Sequence, residues 1–126
     1  MKITKIETLL LSRMHELTRQ WVTSRFRVIK ADCPIVVIHT DEGISGIGEA
    51  CAYGVPRLIQ EWVAWLSAEL IGKNPLEPTV APHPNGRSWA HDCAAAGIDC
   101  ALWDIKGQAA GKRVSELLAP KPLEKV

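Results

Sequence analysis

Residues 94–118 read AAAGIDCALWDIKGQAAGKRVSELL, and this stretch decides the fold. Ile98, Ala101, Leu102, Ile105 and Ala109 recur at helical spacing and draw one apolar stripe down a helix. That stripe is expected to face a core. A second row, Ala96, Asp99, Trp103 and Lys106, lies well round the cylinder and places a tryptophan between two charges, which suggests a second neighbour on that side. Ala94, Gly97 and Ala101 leave a narrow ridge where another backbone can approach. Gly97 and Gly107 each cost about 1 kcal/mol of helix propensity relative to alanine, so close packing has to offset that loss.

Working outward, the helix is expected to run from about Ser88 to Ala110 and to stop at Gly111, with one further turn over Val114 to Leu118. Upstream, Pro56 suits the first position of another helix, whose apolar positions Leu58, Ile59, Trp62, Val63, Leu66 and Leu70 end at Gly72 and Pro75. Trp62 and Trp65 on that helix are expected in core and interface. Residues 74–88 hold Pro75, Pro78, Pro82 and Pro84, which no regular helix survives. The amino-terminal half reads as strands. Ile3, Ile6, Thr8 and Leu10 make a strand over 2–12 with a partly exposed face, and the β-branched run at 35–39 predicts a central strand buried on both sides. Asp41, Glu42 and Gly43 turn the chain back into a strand over 44–52. The fold class is therefore α+β, a three-stranded antiparallel sheet followed by a helical bundle.

Two motifs in this framework resemble a known family. The pattern A-x-A-G-I-D-x-A-L-W-D-I-K-G-x-A-x-G at 94–111, preceded by G-x-G-E at Gly46 to Glu49, is similar to signatures of the mandelate racemase and muconate lactonizing enzyme group of the enolase superfamily. The resemblance covers nearly the whole chain, as that family's amino-terminal capping domain, and departs from the usual pattern at Arg113 and Ala119. It implies a capping domain over residues 1–119 and a linker over 120–126 toward a catalytic (β/α) barrel. A barrel needs on the order of 250 residues, and this chain has 126. The expectation is a fragment that is inactive alone. The family's reaction removes a proton α to a carboxylate, with magnesium taking up the developing charge. No cofactor is expected on this chain itself. Asp99 and Asp104 are five residues apart, so they diverge round the helix, and magnesium belongs with the barrel of a full-length relative. Catalytic residues are likewise expected elsewhere, and the partners are that barrel and a small carboxylate substrate.

The connection at 14–31 is far longer than an ordinary hairpin loop and holds Trp21, Phe26, Arg19, Arg25 and Arg27. In the resembled family this loop folds over the barrel mouth, as does the segment after the third strand, which contains Tyr53. Trp21, Arg25 and Tyr53 are therefore the candidate substrate-binding residues. The plainer alternative, in which Trp21 and Phe26 only anchor the loop and the arginines are solvated, stands beside it. Gly46-x-Gly48 is no dinucleotide motif, since it follows a hairpin and opens no helix; the glycines instead let another backbone approach.

Composition narrows the classes further. Fifteen basic against fourteen acidic residues give no electrostatic reason for nucleic acid or an anionic membrane as partner. No apolar run approaches the roughly 20 residues that span a bilayer, and the first residues carry no cleavable leader, which points to the cytoplasm. Cys33, Cys51, Cys93 and Cys100 lack metal-ligand spacing and are expected as buried structural thiols. Two other classes stay open: a stand-alone binding or homo-oligomerisation module, and a functionless truncated product.

Overall fold

The computed structural model describes residues 1–52, 54–77 and 88–119. The sheet is built from β1 (Ile3–Met14), β4 (Lys30–Thr40) and β5 (Ser45–Glu49), antiparallel and in the spatial order β1-β4-β5. Gly43 turns the chain between β4 and β5 with a φ of 80°, a conformation open to glycine. β1 and β4 pair along almost their whole length, from Ile3 with Thr40 to Met14 with Lys30. The pairing shortens the expected loop to residues 15–29. That connection contains a short 3₁₀ turn at Leu17–Arg19 and a two-stranded ribbon, β2 (Trp21–Val22) with β3 (Arg27–Val28).

Two helices cover one face of the sheet. The first, α1 (Pro56–Leu70), has proline in its first turn and buries Ile59, Val63, Leu66 and Leu70. Past its end, the Gly72 amide donates to the Ile3 carbonyl at 2.8 Å and the Ile3 amide donates to the Lys73 carbonyl at 2.9 Å, fixing helix end to strand start. The long helix, α2 (Trp89–Ala110), begins after Ser88, whose hydroxyl accepts the His91 amide at 3.1 Å. It ends at Gly111, in left-handed backbone with a φ of 61°. A last helix, α3 (Val114–Leu118), starts where the Arg113 amide donates to the Glu116 carboxylate at 2.8 Å.

The strand run expected to be buried on both sides is buried on one. Val36 and Ile38 are fully enclosed beneath the helices, while Ile35, Val37 and His39 are half-buried on the opposite face. Both helices pack on the same side, so the other face, with Leu9, Leu11 and Ile47, stays open in this chain. There Glu7, His39 and Ser45 form a cross-strand chain of hydrogen bonds, His39 Nε2 to Glu7 at 2.8 Å and Nδ1 to Ser45 Oγ at 2.9 Å.

α2 meets β5 at backbone contact. A methyl group built on Gly46 would stand 2.1 Å from the Ala101 carbonyl oxygen, and one on Gly48 would stand 2.1 Å from that of Gly97. This is the close approach that the glycine pattern implied. Side chains of α2 then satisfy the free edge of β5: Asp104 accepts the Ile47 amide at 2.9 Å, and Gln108 donates to the Ser45 carbonyl at 2.8 Å. An edge strand otherwise offers such groups to other chains.

Of the predicted stripe, Ile98, Ala101, Leu102 and Ile105 are buried, but Ala109 is exposed, one residue beyond the level at which Gln108 reaches the first residue of β5. The second row meets no second layer among the described residues. Ala96 and Asp99 are exposed, and the Lys106 ammonium lies 4.6 Å over the Trp103 ring. The thiols also differ from expectation: Cys51 and Cys100 are exposed, while Cys33 and Cys93 are half-buried. Cys33 lies on the open sheet face, and Cys51 follows the end of β5.

Candidate functional site

Antiparallel pairing brings the connection 15–29 and the segment after β5 to the same end of the sheet. β5 begins to pair with β4 only at Ile35, so among the described residues Lys30 to Asp32 have no strand beside them on that side, opposite β1. A cleft of about 690 Å³ opens along that edge. One wall comes from the long connection, with Trp21, Phe26 and Arg27; Lys30 and Asp32 of β4 lie along the edge, and Glu49, Cys51 and Gly54 come from the other side.

The ribbon that carries the first wall is fixed by its own turn. The Thr23 amide donates to the Phe26 carbonyl at 2.8 Å, and the Thr23 hydroxyl accepts the amides of Arg25 and Phe26 at 3.2 and 3.1 Å. Trp21 and Phe26 meet edge to face with ring centroids 6.2 Å apart, yet remain 49% and 53% exposed. Burial alone therefore does not account for their position; half of each ring is left free to touch a ligand.

The floor is electrostatically built. The Asp32 side chain is only 3% exposed, and its carboxylate accepts from Lys30 Nζ at 2.9 Å and from Ser12 Oγ at 2.7 Å. Burial pushes this carboxyl up, but the hydrogen bonds from Lys30 and Ser12, with the lysine charge, outweigh it and hold it below the usual aspartate value. Lys30 is thereby oriented along the cleft, with its side chain 35% exposed. Glu49 of the far wall also neighbours Cys33, which lies outside the cleft; burial first, and then the glutamate's charge and hydrogen bond, raise that thiol.

Of the three residues singled out from sequence, Trp21 lines the cleft. Arg25 sits in the turn at the tip of the ribbon and is not among the lining residues, whereas Arg27 is. Tyr53 lies outside the described residues, as do 78–87, which hold most of the proline-rich stretch, and 120–126. Sequence reasoning missed Lys30 and Asp32. The available signal was the length of the β1–β4 pairing, which carries β4 back to Lys30 and so into the cleft. Among the described residues no group of three His, Cys, Asp or Glu side chains could hold a metal ion, and Asp104 is engaged with the edge of β5. No described helix is long and apolar enough to cross a membrane.

The fold is that of an enolase-superfamily amino-terminal capping domain, a small antiparallel sheet with helices on one face and, among the described residues, no closed barrel. The profile of the mandelate racemase / muconate lactonizing enzyme N-terminal domain matches residues 5–119, and the chain belongs to that family. It is 35% identical to a D-galactonate dehydratase from Pectobacterium atrosepticum across 100% of this chain and 30% of that protein. To the enzyme of that name from Variovorax paradoxus it is 44% identical over 64% of this chain and 23% of that protein. Among solved structures, an enolase-superfamily member from a Polaromonas species superposes with a TM-score of 0.80 at 32% identity, over 94% of this chain and 33% of that one. The 3,6-anhydro-D-galactonate cycloisomerase from Zobellia galactanivorans does so with a TM-score of 0.70 at 28% identity, over 94% and 32%. The chain thus spans less than a third of the length of these curated relatives.

Proposed function

We propose that this chain is the substrate-capping domain of an enolase-superfamily enzyme acting on an acid sugar, by dehydration, racemisation or cycloisomerisation. Residues 1–119 form the cap, and 120–126 lead to a (β/α) barrel. The barrel supplies the base and the magnesium, which stabilises the charge left when the α-proton of a carboxylate substrate is removed. The cap's own share is to close over the substrate, exclude water and select its distal end.

One observation carries this reading: both loops that the family places at the barrel mouth border a single cleft in this chain. Trp21 offers an aromatic face, and Arg27 and Lys30 offer cations to a polyhydroxylated anion. Arg25, at the ribbon tip, is proposed to meet the substrate or the barrel rim on closure. Tyr53 is proposed as a hydrogen-bond donor from the second loop. The likeness to D-galactonate dehydratases supports the acid-sugar class.

The test is to graft residues 1–119 onto the barrel of the Pectobacterium relative and substitute Trp21→Ala, Arg25→Ala and Tyr53→Phe in turn. Trp21→Ala is expected to lower kcat/KM about tenfold, equivalent to losing roughly 1.4 kcal/mol of contact. Unchanged efficiency and substrate preference across all three variants would count against the capping role.

A further inference from the structure

We propose that β1 pairs through its outer edge with β1 of a second copy of this chain, antiparallel and about a two-fold axis at Leu10, joining the two sheets into one. This pairing does not depend on the capping role, because the cleft opens on the other side of β4. β1 is the end strand of its sheet, so among the described residues no strand lies on its other side. It is 12 residues long, holds no proline, and has its one register shift at the start, between Ile3 and Lys5. Edge strands that stay unpaired are usually short, bulged, or interrupted by proline or charge, whereas this one carries no charge from Thr8 to Ser12.

The middle of β1 turns its backbone outward. The Pro34 carbonyl accepts the Ala50 amide at 2.9 Å, so Pro34 is turned toward β5. Facing residues of an antiparallel pair either bond to each other or both turn away. Leu10, the partner of Pro34, therefore holds its N–H and C=O at the free edge, and Thr8 and Ser12 follow by alternation. At Ile3 the edge is already taken, since Gly72 and Lys73 hydrogen-bond to it. At the other end the strand gives way to the 3₁₀ turn that begins at Leu17. Both limits lie seven residues from Leu10.

Residues 5–15, KIETLLLSRMH, have nearly the same chemistry read from either end. A pair centred on Leu10 sets Leu9 against Leu11, Thr8 against Ser12 and Glu7 against Arg13 of the second copy. Facing residues then share a side, so the helices of both copies stay on one face. On the open face, Leu9 and Leu11 are 48% and 54% exposed and cover each other across the axis. Arg13 enters no ion pair among the described residues, and the pairing gives it Glu7. On the helix face, Ile3 and Ile6 pack in the core while Ser12 and Met14 are exposed, so α1 covers only the start of β1 and leaves room at the axis. Slipping the pair by two residues either way sets Lys5 or Leu9 against Arg13, so charge and apolarity select this register. Residues 5–15 are fewer than the roughly 20–30 a side of a standard interface, which points to a dimer that dissociates in the micromolar range.

Sedimentation equilibrium of the full chain with reductant, from about 1 to 500 µM, is expected to show monomer and dimer in exchange. A monomer throughout would overturn the proposal without recourse to any variant. Arg13→Glu sets two carboxylates together on each side of the axis and should raise the dimer Kd about tenfold or more. Glu7→Arg/Arg13→Glu should bring it back toward the parent. An unchanged Kd in Arg13→Glu, or no recovery in a folded double variant, would place the contact elsewhere. The register is read by cross-linking. Cα atoms about 5.5 Å apart at the axis suit a disulfide, so Leu10→Cys without reductant should give tryptic fragment 6–13 joined to itself. Arg13→Cys should not join position 13 to itself. No link at 10, or one at 13, would contradict this axis.

Discussion

Replacing Gly48 by alanine is expected to destabilise the chain by about 3 kcal/mol or more, at the upper end of what overpacking a core costs. The added methyl would stand 2.1 Å from the Gly97 carbonyl oxygen, 2.8 Å from the Ala101 nitrogen and 2.9 Å from the Cys100 Cβ. The two nearest atoms are backbone, so no rotamer change relieves the collision and α2 must move away from β5. Any such movement also pulls Asp104 from the Ile47 amide and Gln108 from the Ser45 carbonyl. Folded domains hold only about 5–15 kcal/mol in total, so the loss would be visible in urea unfolding followed by tryptophan fluorescence. Gly43→Ala is the companion variant. Gly43 needs a positive φ but has open space around it, so its cost should stay near 1–2 kcal/mol. A Gly48→Ala chain within 1 kcal/mol of the parent would refute the backbone contact.

Ile98→Ala should cost a similar amount, about 3 kcal/mol, for a different reason. Ile98 is fully enclosed in the cluster where α2, α1 and the sheet meet, so truncation removes buried apolar surface and leaves a cavity. For a domain of this size that corresponds to a fall in Tm on the order of 10 °C, measurable by calorimetry or circular dichroism. Ala109→Ser, on the same sequence stripe but exposed, should change stability by less than about 0.5 kcal/mol. Equal effects at the two positions would mean that the helix packs in another rotation about its axis.

The contrast between Ile98 and Ala109 shows how far periodicity carries. Helical spacing located the core face of α2, and Ser88 and Gly111 bounded it, because caps and apolar stripes are local signals. Where the core stops along the helix depends on where β5 begins, a tertiary fact that spacing does not encode. The strand at 35–39 is a similar case. An unbroken β-branched run signals burial, but whether one or two layers cover a sheet depends on which side the helices take. Gly46 and Gly48 were legible as a site of close approach, while the identity of the approaching backbone, Gly97 and Ala101, required the fold.

The candidate site was legible in part for the same reason. Loop length and the presence of Trp21 marked the 15–29 connection, and Trp21 does line the cleft. The choice among Arg19, Arg25 and Arg27 depends on where a four-residue turn falls, and the Thr23 hydroxyl sets it so that Arg25 occupies the turn and Arg27 the wall. Lys30 and Asp32 read as ordinary charged residues ahead of a strand. Their role as an oriented pair arises from β4 continuing past the end of β5, which brings the Ser12 hydroxyl to Asp32 from across the sheet.

Substrate preference in the grafted enzyme tests the central claim most directly. With residues 1–119 of this chain joined to the barrel of the D-galactonate dehydratase relative, kcat/KM would be measured over a panel of stereoisomeric acid sugars beside the parent enzyme. The capping account predicts that dehydration persists, that the order of preferred substrates changes, and that restoring the parent's own residues in place of 15–29 brings the parent's order back. A folded, active graft whose order of preference matches the parent's throughout would contradict it.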